Sequence, residues 1–330
     1  MAGSRTQTFY AQESANRRQS ILLVVILMAL LGALGGAIGY VWGGGSLTFS
    51  LLTIAIAAGV ALVLSLFSYY NGDSVVLAVS GAKEVTAEQA PQLFNVVQEL
   101  SIAANIPPPR VYIIDDSAPN AFATGRDPKH SSIAITTGLL GKLDREELQG
   151  VIGHEMSHVR NLDIRFSMMV AVLVGSIALM SDFFLRATFW GGMRGSRRGS
   201  SREGGGAVAV VYVIAIVLAI IAPFVAALVQ LAVSRQREYL ADATSVELTR
   251  NPTGLERALA KIASDQEALE VANRATQHLY FVNPIKKWEN RSSGLFSTHP
   301  HIVDRINRLR TLTGEAPLDQ ATVGALSGLD

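Results

Sequence analysis

Two histidines and a glutamate within five consecutive residues are the part of this sequence best suited to chemistry. They are His154, Glu155 and His158, in the run Gly153-His-Glu-Met-Ser-His158. On a helix, residues four apart lie on one face, so the two imidazoles can share one metal ion. Glu155 lies beside the first histidine, where it can reach a water on that metal. This spacing is typical of zinc sites that hydrolyse peptides, with two imidazole ligands and a carboxylate general base.

The segment around this motif is predicted to form a helix over residues 145–160. Asp144 is a suitable N-cap, and Glu147 three residues on completes a capping box. Helical periodicity also predicts a buried apolar stripe, formed by Leu148, Val151, Ile152 and Val159. The alternative is a chance match on a surface helix with two solvated histidines, and the helical context favours the catalytic interpretation.

A hydrolytic zinc ion needs a third protein ligand and one open position. The sequence contains no cysteine, so this ligand must be a histidine or a carboxylate. Glu238 is favoured because Asp242 lies four residues on, on the same predicted helix face. Asp242 would then accept the free ring N–H of a ligand histidine, preferably His154. The other candidates are the remaining histidines, His130, His278, His299 and His301. An ordinary charged helix, with Arg235 and Arg237 in solvated pairs, is the alternative.

Composition limits the class of protein. The chain has 330 residues, enough for one catalytic domain with membrane segments or for two domains. Only 17% of the residues are charged and the mean hydropathy is positive, which is unusual for a soluble protein. A formal net charge of +1 indicates no nucleic-acid partner. The absence of cysteine excludes disulfides, thiolate ligands and cysteine nucleophiles.

The N-terminal part predicts a transmembrane hairpin. Residues 19–72 contain no charged residue, and Ile21–Trp42 and Leu47–Tyr70 are each long enough to span a bilayer. Gly43–Gly45 between them predicts a tight turn. A cleaved signal peptide is the alternative for the first segment, but the segment is too long and a second span follows at once. The polar residues 1–18 are predicted to be a loosely held arm.

A second hydrophobic hairpin is predicted over residues 166–233, from the apolar segments Phe166–Leu185 and Ala207–Val233. Ligands on both sides of this hairpin must meet at one metal ion, so the chain between them crosses the membrane an even number of times. Arg17 and Arg18 before the first span predict a cytoplasmic N-terminus and a cytoplasmic catalytic domain. The intervening loop disagrees with the same rule, since it contains Arg186, Arg194, Arg197, Arg198 and Arg202.

The remaining residues, 73–165 and 234–330, are predicted to form the two parts of one α-rich α+β domain. A helix is predicted from the capping box Thr86-Ala-Glu-Gln89 to about Asn105. The predicted strands are Val75–Val79, Val111–Ile114 and Ser132–Thr136. Later helices are predicted over 234–242, 254–268 and 302–312.

Four stretches together resemble a known family. They are Pro119–Gly125, Gly153–His158, Ser234–Asp242 and Ser297–Pro300 with Arg305 downstream. In these motifs, their order and the placing of the apolar segments, the chain resembles the HtpX-type membrane zinc metallopeptidases, a family that also contains the CAAX prenyl endopeptidases. The resemblance covers roughly residues 20–315. It implies a gluzincin-like peptidase domain with one zinc ion per chain.

The resemblance also implies roles for individual residues. His154, His158 and Glu238 would be the zinc ligands and Glu155 the catalytic base. Further residues are expected at the substrate: Asn120 and Ala121 along its backbone, and His299 with Arg305 near the reacting carbonyl. Without the resemblance, Pro119–Gly125 is more simply a turn and His299 a helix cap.

The function implied is cleavage of membrane or misfolded proteins at the inner membrane, as part of quality control. A processing protease with one specific substrate is one alternative. A membrane transporter is another. Against it, Asp182 is the one charged residue in the predicted spans, so no ion path is visible. A non-catalytic zinc scaffold is the third, and it would lack the base Glu155.

Overall fold

The computed structural model describes residues 9–191, 205–265, 300–319 and 322. The chain divides into two compact units. One comprises Arg17–Tyr69 and Ser167–Gln230, and the other comprises Met1–Asn16, Tyr70–Phe166 and Leu231–Asp330. The predicted class, an α-rich α+β fold with a small sheet and four membrane-capable helices, is confirmed.

Four long helices contain the apolar segments. They are α1 (Phe9–Trp42), α2 (Leu47–Val79), α6 (Asp163–Gly191) and α7 (Gly205–Thr249). Their candidate membrane spans are Ile21–Trp42, Leu47–Val79, Asp163–Phe189 and Ala209–Leu228. The arm predicted over residues 1–18 is wrong from Phe9 onward, because α1 already begins there; residues 1–8 lie outside the described residues. The loop predicted from Arg186 is also wrong at its start, because α6 continues to Gly191.

Small residues let α1 and α2 approach closely. Gly44 and Gly45 in the predicted turn have φ of +62° and +95°, which glycine adopts at little cost. Further along the hairpin, the Ser50 hydroxyl donates to the Gly36 carbonyl at 2.9 Å and the Thr53 hydroxyl donates to the Gly35 carbonyl at 2.9 Å. Such contacts between small residues and backbone are typical of helix pairs in membranes.

Two predicted boundaries in the other unit are wrong. Val75–Val79 is not a strand, because these residues form the last turn of α2 (Leu47–Val79); Gly81, with φ of +63°, follows the helix end. The Thr86–Gln89 motif does form a side-chain contact, in which Gln89 Oε1 accepts from the Thr86 N–H at 2.9 Å. However, helix α3 (Pro91–Ala104) begins only at Pro91, since a proline disfavours helical backbone at the residue before it.

A mixed sheet of four strands has the order β1-β2-β4-β3. The strands are β1 (Lys83–Glu84), β2 (Arg110–Ile114), β3 (Ala121–Asp127) and β4 (His130–Thr136). β2 and β4 are parallel, whereas β1 with β2 and β3 with β4 are antiparallel. The strands predicted near 111–114 and 132–136 are thus confirmed. The turn that residues 119–125 alone suggested is wrong, because β3 pairs along β4 and forms an edge of the sheet.

Helix α5 (Arg145–Arg160) belongs to the unit that contains Tyr70–Phe166 and Leu231–Asp330, called the catalytic unit below because it contains the predicted catalytic motif. It contacts α3, β3 and α8 (Pro252–Ser264). Both halves of the predicted capping box are present, between Asp144 and Glu147. All four residues of the predicted apolar stripe are buried. Two short helices complete the unit: α4 (Thr137–Lys142) and α9 (Ile302–Thr313), the second of which packs on α8. The prediction for 254–268 is confirmed up to Ser264, and residues 266–268 lie outside the described residues.

Glycines at the crossing of α5 and α8 allow the two backbones to touch. A Cβ on Gly150 would lie 2.6 Å from the Leu255 nitrogen, and a Cβ on Gly254 would lie 2.6 Å from the Glu146 carbonyl oxygen. The Gly150 carbonyl also accepts from the Ser245 hydroxyl of α7 at 2.7 Å. The crossing therefore fixes the helix that bears the histidine motif against both of its neighbours.

Replacing Gly150 with alanine should destabilise the catalytic unit, because the added methyl group meets backbone atoms that cannot move independently. Overpacking of this kind typically costs about 1–3 kcal/mol. Gly141→Ala on α4 is the matched control, since a Cβ there meets nothing within 4 Å. The apparent melting temperature of detergent-purified protein should fall for Gly150→Ala and stay level or rise slightly for the control. Equal melting temperatures would contradict the packing described.

Candidate metal centre

Three side chains from two helices meet at one point. His154 and His158 lie on α5, and their Nε2 atoms are 3.2 Å apart. Glu238 on α7 lies with Oε2 3.5 Å from His154 Nε2 and Oε1 3.5 Å from His158 Nε2. One donor atom from each side chain lies within 4.8 Å of the others. Two imidazole nitrogens and a carboxylate oxygen are a donor set that zinc prefers, so these residues fit such an ion.

The far side of the His154 ring is held by a carboxylate. Its Nδ1 lies 2.9 Å from Asp242 Oδ1, at the position predicted from the four-residue spacing of Asp242 and Glu238. A hydrogen bond from Nδ1–H to a carboxylate fixes the tautomer in which Nε2 has its lone pair free. Arg237, Glu238 and Asp242 are all buried, so the alternative of a solvated charged helix is wrong.

Arg305 on α9 lies behind this pair and is 2% exposed. Its Nε donates to Asp242 Oδ2 at 2.9 Å and its Nη2 donates to Asp242 Oδ1 at 2.6 Å, a bidentate contact. Nη2 also lies 3.3 Å from His154 Nδ1, on the side of the ring away from Nε2. In this structure Arg305 therefore orients Asp242, and its contact with a reacting carbonyl stays a prediction.

The second histidine has a corresponding support, which was not predicted from the sequence. His158 Nδ1 lies 3.1 Å from Oδ2 of Asp163, the first residue of α6. The two residues lie on different helices, so no helical spacing relates them. The one available signal was an acidic residue at the start of a helix shortly after the motif.

Glu155 lies beside the ligands and is 2% exposed. Burial raises the pKa of its carboxyl group, and the neighbouring His154 and His158 oppose this shift only in part. The carboxylate accepts a hydrogen bond from the backbone N–H of Ala123 on β3. A carboxylate with a raised pKa is a stronger proton acceptor than a solvated one, so Glu155 is suited to accept a proton and return it.

The edge strand β3 lies next to Glu155; Ala121, expected at the substrate, is its first residue, and Asn120 directly precedes it. The Thr136 N–H donates to the Asn120 carbonyl, so by the antiparallel alternation Ala121 and Ala123 direct their backbone groups away from β4. Asn120 Oδ1 accepts from the Ala121 N–H at 3.0 Å, and both residues are buried. The structure thus brings Asn120 and Ala121 to the same edge as the contact with Glu155.

The other histidine candidates are distributed differently. His130 is exposed, and its Nδ1 lies 2.9 Å from Asp127 Oδ1. His301 is the N-cap of α9. The suggestion that His299 caps this helix is therefore wrong. His278 and His299 lie outside the described residues, so the expected role of His299 stays a prediction.

Comparison with known proteins gives consistent matches. A family model described as peptidase family M48 matches residues 87–313, a range that includes the three ligand candidates and Arg305. The protease HtpX homologue of Listeria monocytogenes serotype 4a (strain HCC23) is 44% identical over 307 residues, covering 92% of this chain and 99% of the relative. The HtpX homologue of Streptococcus uberis is also 44% identical over 307 residues, with coverages of 91% and 99%.

Among solved structures, the crystal structure of Ste24p from S. mikatae aligns with 77% of this chain and 57% of its own, with 17% identity and a TM-score of 0.46.

Arg305→Gln should weaken zinc binding, because Asp242 would lose its bidentate partner and His154 its fixed orientation. Loss of such outer support typically costs about 10–100-fold in metal affinity. Arg308→Gln is the control: it removes a guanidinium of the same helix that lies 4.1 Å from the Tyr239 ring of α7 and so tests loss of helix packing without loss of the Asp242 contact. Competition with a zinc chelator measures both. Lower peptide turnover at unchanged zinc affinity would instead assign Arg305 to the substrate.

Proposed function

We propose, because the chain belongs to peptidase family M48, that it is a zinc-dependent endopeptidase acting on membrane-associated polypeptides. Its family and its HtpX homologues make it a membrane metalloprotease, and its four apolar helices make it a multi-pass membrane protein. The observation that supports the finer proposal is the convergence of His154, His158 and Glu238 beside the buried Glu155.

One zinc ion per chain would be held by His154, His158 and Glu238. When bound, such an ion supplies a Lewis acid and lowers the pKa of a water molecule to near neutrality. The protein's own part is to orient each imidazole with Nε2 directed at the metal position, which the contact of Asp242 Oδ1 with His154 Nδ1 favours.

Glu155 is proposed as the general base and acid. Its carboxylate would take a proton from the attacking water and return it to the nitrogen of the departing amine. The hydrogen bond from the Ala123 N–H restrains the carboxylate beside the edge strand. The proposed base and a peptide bound along β3 would therefore be positioned by the same strand.

The substrate is proposed to bind as an added strand along β3. An extended peptide gains main-chain hydrogen bonds from an open sheet edge irrespective of its sequence, which suits a protease with varied substrates. The Ala121 carbonyl is directed away from β4, although the strand is buried from Ala121 to Gly125. Asn120 restrains the strand by accepting a hydrogen bond from the Ala121 N–H. His299 is the proposed donor to the developing oxyanion, as the resemblance implies.

Membrane or misfolded proteins are the proposed substrates, within quality control at the inner membrane. Processing of one specific protein remains the second candidate, and membership of a peptidase family argues against a transporter or a non-catalytic scaffold. The catalytic unit is proposed to face the cytoplasm, because Arg17 and Arg18 precede the first span.

Glu155→Gln should reduce proteolysis by at least about 10²-fold, because the amide cannot take up the proton. Zinc content should stay near one per chain, since the ligands are unchanged and the amide oxygen can still accept from the Ala123 N–H. Glu146→Gln, an exposed change on the same helix, is the control. Cleavage of an unfolded model protein in detergent, with zinc measured in the same samples, is the test. Full activity of Glu155→Gln would reject the proposed base.

The proposed orientation can be tested by labelling single cysteines, because the natural chain has none. In intact cells, a membrane-impermeant thiol reagent should not react with Lys129→Cys, an exposed site in the catalytic unit, and should react after permeabilisation. External labelling of intact cells would reverse the proposed topology. Labelling of Arg198→Cys answers separately whether the second hairpin crosses fully.

A further inference from the structure

The His158 ring contacts the carboxylate of Asp163, and that carboxylate contacts the guanidinium of Arg237. Asp163 Oδ2 lies 3.1 Å from His158 Nδ1, and Asp163 Oδ1 lies 3.0 Å from Nη1 of Arg237. Asp163 is 5% exposed. Because its two oxygens are engaged by two different partners, rotation of this carboxylate would break one contact or the other.

Arg237 is restrained on several sides. Its Nη1 donates to the Asp163 backbone carbonyl at 3.1 Å as well as to the side chain. Its guanidinium carbon lies 3.8 Å from the centroid of the Phe166 ring, within range of a cation–π contact. The residue is 6% exposed. A buried guanidinium in a fixed position can compensate the charge of a buried carboxylate, which would otherwise be costly.

The two ligand histidines therefore have the same kind of support. Behind His154 stand Asp242 and then Arg305, and behind His158 stand Asp163 and then Arg237. The first set joins α5, α7 and α9, and the second joins α5, α6 and α7. His158 is the more accessible ligand, with 15% of its side chain exposed against 1% for His154, so packing alone restrains it less.

We propose that Asp163 and Arg237 are a positioning pair for His158: Asp163 fixes the ring with Nε2 directed at the metal, and Arg237 acts on the metal only through Asp163. This rests on the proposed function, since it concerns the same metal site. The competing explanation is that the ion pair merely ties α6 to α7, in which case its loss would lower stability without changing the metal site.

Zinc affinity and the visible spectrum of the Co²⁺-substituted protein distinguish these explanations. Asp163→Ala should weaken zinc binding by about 10–100-fold and change the Co²⁺ absorption, because the His158 ring is no longer oriented. Asp163→Asn should fall between native and alanine, since an amide oxygen can still accept from Nδ1. Glu147→Gln is the matched control, a buried carboxylate on α5 in an ion pair with Lys261 but away from the ligands.

A double-mutant cycle tests the order of action. Arg237→Gln should weaken zinc binding in the native background and have no further effect when Asp163 is already alanine. Arg160→Gln, which removes a half-exposed ion pair between α5 and α7, should leave the affinity unchanged in both backgrounds. An equal effect of Arg237→Gln on zinc affinity in the two backgrounds would show that Arg237 does not act through Asp163 and would overturn the proposal.

The failures are separable. If the native protein binds no zinc, the proposed function fails and this inference with it. If the native protein binds zinc but Asp163→Ala keeps native affinity and the native Co²⁺ spectrum, the positioning role alone is rejected. Should Asp163→Ala not fold, as judged by circular dichroism, the decision rests on Asp163→Asn, for which native affinity and spectrum would likewise reject the role.

Discussion

The buried contact between Arg305 and Asp242 is the interaction on which the metal centre most depends. A carboxylate withdrawn from water costs several kcal/mol unless a cation and hydrogen bonds compensate it. Here the guanidinium meets both carboxylate oxygens and also lies 3.8 Å from Glu238. Without that positive charge, and before any metal binds, Glu155, Glu238 and Asp242 would be three acidic groups in one buried site. The contact also joins α9 to α7 and orients His154. The packing of these two helices and the geometry of the metal centre therefore depend on the same ion pair.

Positioning of Glu155, the proposed base, and of the proposed peptide site depends on how α5 is held. The capping box starts the helix at a defined residue, and the glycine crossing with α8 fixes its position. The hydrogen bond from Ala123 to Glu155 then relates the edge strand to the histidine motif. A peptide added to β3 would lie in a register set by the same strand that holds the base, which reduces the entropy lost when the reacting groups are brought together.

The sequence was informative where the signal is local. Features that depend on a single element could be predicted. They are the capping box at Asp144, the apolar stripe of α5, the apolar segments, and the four-residue spacing of Glu238 and Asp242. Contacts between elements could not be predicted: Asp163 and Arg305 have no spacing relative to the motif that a pattern could reveal. The strand predicted at Val75–Val79 failed for a related reason, since a short apolar run does not by itself distinguish a strand from the end of a long helix.

Asp182 is the one charged residue within the predicted spans, and its partner bears on both function and topology. It accepts from Arg186 Nε at 2.8 Å, one turn further along α6. An acidic group on a transport path is expected to face other polar groups in the interior, whereas this carboxylate is more than half exposed and paired within its own helix. The transporter alternative thereby loses its main support. Arg186, one of the five arginines that argued against a full second hairpin, lies inside the candidate span Asp163–Phe189 and not in the loop. The positive-inside conflict therefore rests on the four arginines at positions 194–202, and the proposed orientation relies on the N-terminal pair Arg17 and Arg18.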